Sequence, residues 1–510
     1  MTRGLVSGMS ICAWAIVAQA QVTFFTDFGP QQYSGGKGCS VTEVADGYLV
    51  FSQELVLDSV GELRTHLMVR KIDLNGQYQW ENEINQGVER DYNLTGWGVD
   101  PVCATMDGNY ASGITNFDHA TVLYDGKVEL YRFDANGDTL STKTLLAFPA
   151  TDSVLIAAQQ TIQTADSGFA IAGWEHRVPA PPTVGTLLRT DQHGDTLWYK
   201  KYPGTTYAFG IAENFDEGFL LTGIKLGQNW NGYFLIRTDS LGNELWRRWY
   251  GGHPEANQQV HLASDGNIVT WAPHSTIWAP DAFDTLACRL TKWDQQGTVI
   301  DQGEYRMPYR PFTSDFEELP DGSWITMGKW GEMYRFNKFS ASLDTVWTRT
   351  YWFFGGFHNL FDVEPTSDGG FIATGEAKQT GANNDPIPGL QTVTVLKLDS
   401  MGCLVPGCHT VGVEEIVLGL EDALRVWPNP ASDQIQVAVD LPQGFEVQGR
   451  LVLVLQDALG REVLRSPLPG SGGGGPSPFS FQLSALPSGL YHLHLLDDTR
   501  VLTGTKLVKE

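Results

Sequence analysis

Short apolar runs alternate with polar turns along most of the chain, and the turns repeat. A phrase of Asp and Gly followed by an aromatic or aliphatic pair recurs seven times between Asp46 and the copy at Asp368. These 322 positions in six steps give a period of roughly 54 residues. Such a period predicts a propeller, a solenoid or an array. The copies begin at Asp46, Asp107, Asp166, Asp216, Asp265, Asp321 and Asp368.

A second phrase, Arg/Lys-x-Asp-x-x-Gly, lies downstream in six of the repeats and is often followed by Trp, while the copy at 335–337 in the sixth repeat is degenerate and lacks the Gly. Asp starts a turn by bonding its own backbone, and Gly takes the positive φ that closes it. Runs such as 169–172 and 233–236 between these turns predict strands. Each repeat therefore predicts a four-stranded antiparallel blade, and the fold class is all-β with a seven-bladed β-propeller. We expect the recurring Trp to pack between neighbouring blades.

The two ends of the ring are predicted to join. The seventh repeat has no obvious fourth strand, because a Pro/Gly turn follows its last phrase. Residues 24–29 align with 246–251, aromatic over aromatic and Gly29 over Gly251. Val22 to Phe28 is therefore predicted to form the outer strand of the last blade, which would close the ring and cover sheet edges.

Four segments follow from these patterns. Residues 1–20 predict a signal peptide, with cleavage between Ala20 and Gln21 after a small-residue motif. Residues 21–410 form the predicted propeller and 411–424 a linker. Residues 425–510 show alternation over several short strands, which predicts a small C-terminal β-sandwich.

Charge narrows the range of partners. The chain of 510 residues has a formal net charge of −25. Such a surface repels nucleic acid and anionic lipid, so we predict neither as a partner. No segment after the leader is apolar enough to span a bilayer. We expect a soluble, exported monomer.

The cysteines fit an exported protein. Cleavage of the leader would leave five, so at least one would have no disulfide partner within the chain. Cys403 and Cys408 lie close in a Pro/Gly turn, where a disulfide is favoured over a metal pair. The pairing of Cys39, Cys103 and Cys288 stays open.

The C-terminal segment resembles the type A C-terminal sorting domain of the type IX secretion system of Bacteroidetes bacteria. The resemblance implies export across the inner membrane, recognition by the type IX machinery at the outer membrane, and then release or tethering at the surface. The alternative is a merely stabilising β-domain. The residues that carry the resemblance are Pro428, Asn429, Pro430, Gly460, Arg461, Gly489, Tyr491, Lys506 and Lys509.

No catalytic constellation stands out in the sequence. Nucleophile elbow, phosphate loop and zinc-helix motifs are absent. The Asp-rich turns lack calcium-loop spacing. His492 and His494 alternate on one predicted strand and are interpreted as surface residues. We therefore predict no catalytic, cofactor-binding or metal-binding residues and no cofactor.

Three functions remain open. The leading hypothesis is a secreted or cell-surface propeller that binds a glycan or a surface protein through loops at one mouth of the ring. The alternative is an extracellular polysaccharide hydrolase or lyase, which would need two carboxylates and a basic or aromatic residue at the central mouth. The third is a scaffold of a surface assembly. The loops with room for specificity lie at 116–128, 177–184, 271–283 and 379–391.

Overall fold

The structure is a computed structural model of the whole chain. It describes residues 21–510 apart from 29–32, 58–62, 85–90, 94–100, 118–125, 149–153, 178–182, 228–231, 251–257, 276–285, 308–310, 331–332, 354–355, 381–385, 405–407, 409–414, 419, 421–422, 442–444, 446, 448, 458–460, 469–478 and 498–499. The predicted signal peptide, including Ala20, lies outside the described residues.

Seven groups of four or five antiparallel strands follow one another along the chain and confirm the predicted blade count. Blade one comprises β2 (Tyr33–Val44), β3 (Gly47–Leu57), β4 (Leu63–Ile72) and β5 (Tyr78–Glu83). Blade two comprises β6 (Asp91–Asn93), β7 (Val102–Ala104), β8 (Tyr110–Phe117), β9 (Lys127–Phe133) and β10 (Thr139–Ala147). Blade three comprises β11 (Val154–Gln163), β12 (Phe169–Arg177), β13 (Val184–Thr190) and β14 (Thr196–Tyr202).

The remaining blades repeat the same order. Blade four comprises β15 (Tyr207–Glu213), β16 (Phe219–Lys225), β17 (Gly232–Thr238) and β18 (Glu244–Tyr250). Blade five comprises β19 (Gln259–Leu262), β20 (Ile268–Ser275), β21 (Leu286–Trp293) and β22 (Val299–Met307). Blade six comprises β23 (Pro311–Glu318), β24 (Trp324–Trp330), β25 (Met333–Phe339) and β26 (Thr345–Phe353). Blade seven comprises β27 (Gly356–Pro365), β28 (Phe371–Thr380), β29 (Pro386–Leu398) and β1 (Phe24–Phe28).

The leading segment closes the ring as predicted. β1 pairs antiparallel with β29, so that Phe24 faces Lys397 and Phe28 faces Val393. Blade seven therefore takes its outer strand from the start of the chain. The inner strands β7, β11, β15, β19, β23 and β27 contact one another in this order, and β27 of the last blade contacts β2 of the first.

The two repeated phrases are joined by an ion pair in every blade. The Asp of each Asp-Gly turn meets a Lys or Arg on the third strand, which explains why the phrases occur together. In blade seven the Nζ atom of Lys397 lies 3.0 Å from the Asp368 carboxylate. The seven pairs are Lys71–Asp46, Arg132–Asp107, Arg189–Asp166, Arg237–Asp216, Lys292–Asp265, Lys338–Asp321 and Lys397–Asp368.

The recurring Trp packs between blades, as predicted. The ring of Trp198 in blade three lies against Gly242 of the Asp-x-x-Gly turn in blade four, where a Cβ would come within 2.7 Å of the indole. Gly242 also has a φ of 74°, a conformation that glycine adopts without strain. Phe24 of the closing strand lies against Gly76 of blade one in the same way, so it takes the place of the Trp in blade seven.

The C-terminal region forms two further layers. A three-stranded sheet of order β31-β32-β35 faces strands β33, β34, β36 and β37 across an apolar core that includes Ile435, Val437, Leu453 and Leu493. This is the predicted β-sandwich. The strands are β30 (Glu415–Leu418), β31 (Leu424–Trp427), β32 (Gln434–Val439), β33 (Leu451–Asp457), β34 (Glu462–Pro467), β35 (Phe479–Gln482), β36 (Gly489–Asp497) and β37 (Arg500–Lys509).

The sandwich continues the sheet of blade six. β30, within the segment predicted as a linker, pairs in parallel with β26 on one side and with β37 on the other. A single nine-stranded sheet therefore runs from the propeller into the sandwich. Val454, Leu496 and Val501 share one apolar cluster with Tyr351 of blade six and with a disulfide between Cys403 and Cys408.

The surface interpretation of His494 is wrong. This side chain is fully buried, because the face of β36 that carries it packs towards the propeller rather than towards solvent. Neither ring nitrogen has a hydrogen-bond partner among the described residues. Burial lowers the pKa of His494 to about 4.

Candidate functional site

Sequence-distant residues of the sorting signature meet at one edge of the sandwich. The Asn429 side chain donates from Nδ2 to the Lys506 carbonyl at 2.7 Å and accepts at Oδ1 from the Val508 amide at 2.9 Å. Asn429 lies between two prolines, each preceded by a cis peptide bond. Gly489 begins the neighbouring strand and pairs with Lys509. The Pro-Asn-Pro turn is thus attached to the final strand of the chain.

An apolar surface adjoins this edge. Trp427 precedes the Pro-Asn-Pro turn and is 43% exposed, and the paired residues Leu490 and Val508 are 38% and 39% exposed. Lys506, on the same strand as Val508, is also exposed. We call Trp427, Pro428, Asn429, Leu490 and Val508 the tail patch.

The other signature residues have local structural roles. The Tyr491 hydroxyl donates to the Pro487 carbonyl at 2.8 Å. Arg461 bonds Asp457 across the turn between β33 and β34, through its backbone amide at 2.9 Å and its side chain at 2.7 Å. Gly460 lies outside the described residues. Gln21, the residue predicted to follow the cleavage, bonds the Asp368 carbonyl at 2.6 Å and accepts from the Ser400 amide at 2.8 Å.

A second cluster of polar residues lies on the first strands, around the axis of the ring. The residue six positions before each repeated Asp occupies an equivalent place in every blade, and three of these residues bond to the next blade. Gln160 accepts from the Ile211 amide at 2.7 Å. The carboxylates of Asp315 and Asp362 accept from the amides of Val363 at 3.0 Å and Val41 at 2.6 Å. These contacts join blades three to four, six to seven, and seven to one.

Asp315 and Asp362 are both buried and interact with each other. Burial raises the pKa of the Asp315 carboxyl above its ordinary range, against the opposite effects of hydrogen bonds from Asp362, from the Val363 and Phe316 amides and from Gln259. Like charges at short distance disfavour double ionisation, so the pair favours holding one proton.

His261 lies on the same side of the axis. Its Nε2 atom is 3.5 Å from the Glu317 carboxylate, and its ring packs edge-on against Phe316 with centroids 4.6 Å apart. One donor atom each from His261, Asp315 and Glu317 lies within 4.8 Å of the others. The sequence analysis did not single out this group, which we call the axial cluster.

A signal for the axial cluster was present in the sequence. Each member lies four or six positions before a repeated Asp. His261 lies four positions before Asp265, and Asp315 and Glu317 lie six and four positions before Asp321. Motifs of neighbouring residues do not reveal the cluster, because the ring brings together residues on different repeats. The predicted ligand loops at 116–128, 177–184 and 271–283 lie largely outside the described residues, whereas 379–391 is described apart from 381–385 and includes the paired ends of β28 and β29.

Fold and tail together define a class: a seven-bladed β-propeller with a C-terminal secretion domain. Residues 425–510 match the family of secretion system C-terminal sorting domains. A type IX sorting domain indicates a secreted or cell-surface protein. Among the described residues, no helix has the length and apolar character needed to cross a membrane.

Solved structures with a similar architecture are distant. The β-propeller domain of the Trilobed protease from Pyrococcus furiosus is 10% identical, with 70% of this chain and 93% of that chain covered and a TM-score of 0.38. A GH93 α-L-arabinofuranosidase of Fusarium graminearum is 12% identical over 60% and 92% of the two chains, at a TM-score of 0.36. A protein of unknown function from Bacteroides caccae is 12% identical over 62% and 94%, at 0.33. No curated protein matches the sequence. None of these likenesses bears on what this chain binds or catalyses.

Proposed function

We propose that the chain is a binding protein of the cell exterior, in which a monomeric propeller presents a ligand surface and the tail directs export. The ligand class is a glycan or a surface protein, held by loops at one mouth of the ring. The observation that carries the proposal is the hydrogen bonding of Asp315 and Asp362. Each carboxylate bonds the backbone of the next blade, so both serve ring closure rather than a substrate.

The tail patch is the proposed recognition surface for the type IX machinery. Exposed apolar side chains beside a fixed turn are typical of protein interaction sites. Replacing Asn429 by Ala removes two hydrogen bonds to the last strand and should leave more protein in the periplasm. Deleting residues 427–510 should retain all of it there, and fractionation of cells measures both effects. Full export of the deletion variant would contradict the proposal.

Ligand binding is tested on the purified mature protein, residues 21–510. We expect saturable binding to a glycan array or to isolated outer-membrane and polysaccharide fractions. Exchange of residues 381–385, within the predicted loop at 379–391, for a Gly-Ser segment of the same length should abolish binding, while exchange of the polar turn at 134–138 for an equivalent Asp-x-x-Gly turn should not. Absence of binding to every surface component would contradict the proposal and favour the scaffold role.

The enzyme alternative is favoured by one observation, the convergence of His261, Asp315 and Glu317 near the axis. An enzyme would release products from surface polysaccharides, and Glu317→Gln would lower the rate while leaving ligand binding intact. Chromatography of polysaccharides incubated with the protein distinguishes the two functions. Product release that depends on Glu317 would replace the binding role with catalysis.

A further inference from the structure

Metal-type donors are concentrated in three consecutive blades. At the two inner-strand positions, six and four residues before the repeated Asp, the other four blades carry Ser, Thr, Pro, Cys, Gln, Ile, Gly or Ala. Asp315 and Asp362 join neighbouring blades through backbone amides, but Gln160 makes the same kind of contact with an uncharged side chain, so joining the blades does not by itself require carboxylates and imidazole here. The pairs in blades five, six and seven are Gln259 with His261, Asp315 with Glu317, and Asp362 with Glu364.

The geometry suits a single ion. The donor atoms of His261, Asp315 and Glu317 lie within 4.8 Å of one another, on strands β19 and β23 of adjacent blades. Bonds of about 2.0–2.2 Å from a metal to nitrogen and oxygen require only small side-chain rotations from this arrangement. His261 and Glu317 are 26% and 25% exposed, so an ion can reach them from solvent.

A second observation points to a ligand. The Gln259 side chain is 1% exposed and its amide group interacts with the Asp315 carboxyl, but its Oε1 atom has no hydrogen-bond partner within the described part of the chain. Neither the Oε1 nor the Nε2 atom of Gln258 has a hydrogen-bond partner among these residues. Buried polar groups are rarely left unsatisfied, and a bound ion with its water supplies the missing partners.

The imidazole is available as a ligand. The His261 ring packs edge-on against Phe316 and Trp324, and its Nε2 atom lies 3.5 Å from the Glu317 carboxylate, so this nitrogen is placed to bind the same ion as the carboxylate. A site with one imidazole nitrogen and two carboxylates suits first-row transition metals better than Ca²⁺ or Mg²⁺, which prefer all-oxygen ligands.

We propose that the axial cluster binds one divalent transition-metal ion of the Zn²⁺ or Mn²⁺ class, through His261, Asp315 and Glu317. Because the ligands come from β19 and β23, the ion would join blades five and six. Other neighbouring blades are joined at this level by hydrogen bonds. The site is independent of any ligand at the mouth, so its test does not depend on the proposed binding function.

The experiment uses the mature protein after removal of metals with a chelator. Isothermal titration with Zn²⁺, Mn²⁺, Ca²⁺ and Mg²⁺ gives stoichiometry and affinity, and thermal unfolding with and without each ion gives stabilisation. Glu317→Gln removes a ligand. Glu83→Gln is the matched control, because Glu83 has the same 25% side-chain exposure and pairs with His66 at 2.7 Å on blade one. His261→Asn serves if Glu317→Gln does not fold, as judged by circular dichroism.

We expect one equivalent of Zn²⁺ or Mn²⁺ to bind and to raise the unfolding temperature. The ligand variant should lose at least tenfold in affinity, and Glu83→Gln should bind as the wild type does. The proposal is overturned if no ion binds, if Ca²⁺ or Mg²⁺ binds more tightly, or if the ligand variant retains wild-type affinity.

Discussion

The ammonium group of Lys397 lies 3.0 Å from both carboxylate oxygens of Asp368, and the lysine side chain is completely buried. The pair connects the Asp-Gly turn of blade seven to its third strand, next to the closing strand. Burial acts to raise the pKa of Asp368, but hydrogen bonds from Thr366, Gly370 and Lys397 outweigh it and lower the pKa. An equivalent ion pair occurs in each of the seven blades, but the exposed fraction of the paired side chains differs widely between blades.

The buried pair should contribute far more to stability than its exposed counterpart. Asp368→Asn leaves the Lys397 charge buried without its counter-ion, which we expect to cost about 2 kcal/mol of unfolding free energy. Asp321→Asn makes the same change in blade six, where Lys338 is 20% and Asp321 64% exposed and the charged atoms lie 3.7 Å apart, so it should lower the midpoint of urea unfolding far less. Equal effects of the two variants would show that burial does not set the strength of the pair.

The lowered pKa of Asp368 also gives the pair a pH dependence. Since the folded-state pKa lies below the unfolded value, the stability that the carboxylate contributes is present above the unfolded pKa of 3.8 and is lost as the pH falls through the folded value. The difference between wild type and Asp368→Asn should therefore be constant from pH 5 to pH 7 and shrink in stronger acid.

The glycine against which each aromatic ring between blades packs should be required for stability for two reasons, its contact with the ring and its positive φ, which two variants can separate. Gly242→Ala places a Cβ within 2.7 Å of Trp198 and also forces a residue at φ 74°. Gly108→Ala forces φ 78° but meets nothing within 4 Å. We expect Gly108→Ala to cost about 1 kcal/mol and Gly242→Ala at least about 2 kcal/mol more. Similar costs in chemical unfolding would mean that the Trp contact is not tight.

The closing strand should stabilise the ring through Phe24. Phe24→Ala removes the ring that lies against Gly76, in the place that Trp198 and Trp246 occupy in their blades. Because Phe24 is only partly buried, we expect a loss of about 1 to 3 kcal/mol in unfolding free energy. The control Phe215→Ala acts on a side chain that is 70% exposed and should change stability by less than about 0.5 kcal/mol. Equal effects would contradict the closing role.

His494 should make the docked tail sensitive to mild acid. Its folded-state pKa of about 4 lies below the unfolded value of 6.5, so folding disfavours the charged ring. The protein should lose stability as the pH falls from about 7 towards 4, by at most about 3 kcal/mol from this residue. His494→Met should weaken the dependence, leaving the part that comes from His261, whose pKa is lowered in the same way, whereas His193→Met on an exposed turn should not change it. Urea unfolding at pH 7 and pH 5 makes the comparison.

The sequence predicted the blades because local chemistry specifies them. Turns need Asp and Gly at fixed spacing, and the aromatic at residue 24 aligned with Trp246 because both fill the same inter-blade site. The sequence near β30 did not indicate that this strand continues the sheet of blade six into the sandwich. Strand pairing between domains depends on which sheet edges come together in the fold, and local sequence does not show this. His494 was misplaced for the same reason: alternation shows which residues share a face but not what covers that face.

Closure of the ring by the leading segment is tested most directly by a disulfide across β1 and β29. Thr26 and Val395 are directly paired, so the double variant Thr26→Cys/Val395→Cys should form a disulfide on mild oxidation, identified by mass spectrometry of the linked peptides. Thr26→Cys/Thr392→Cys lies three residues out of register and should not form one. We predict that a disulfide forms in Thr26→Cys/Val395→Cys and does not form in Thr26→Cys/Thr392→Cys. Absence of that link, or equal linkage in both variants, would contradict closure of the ring by this strand.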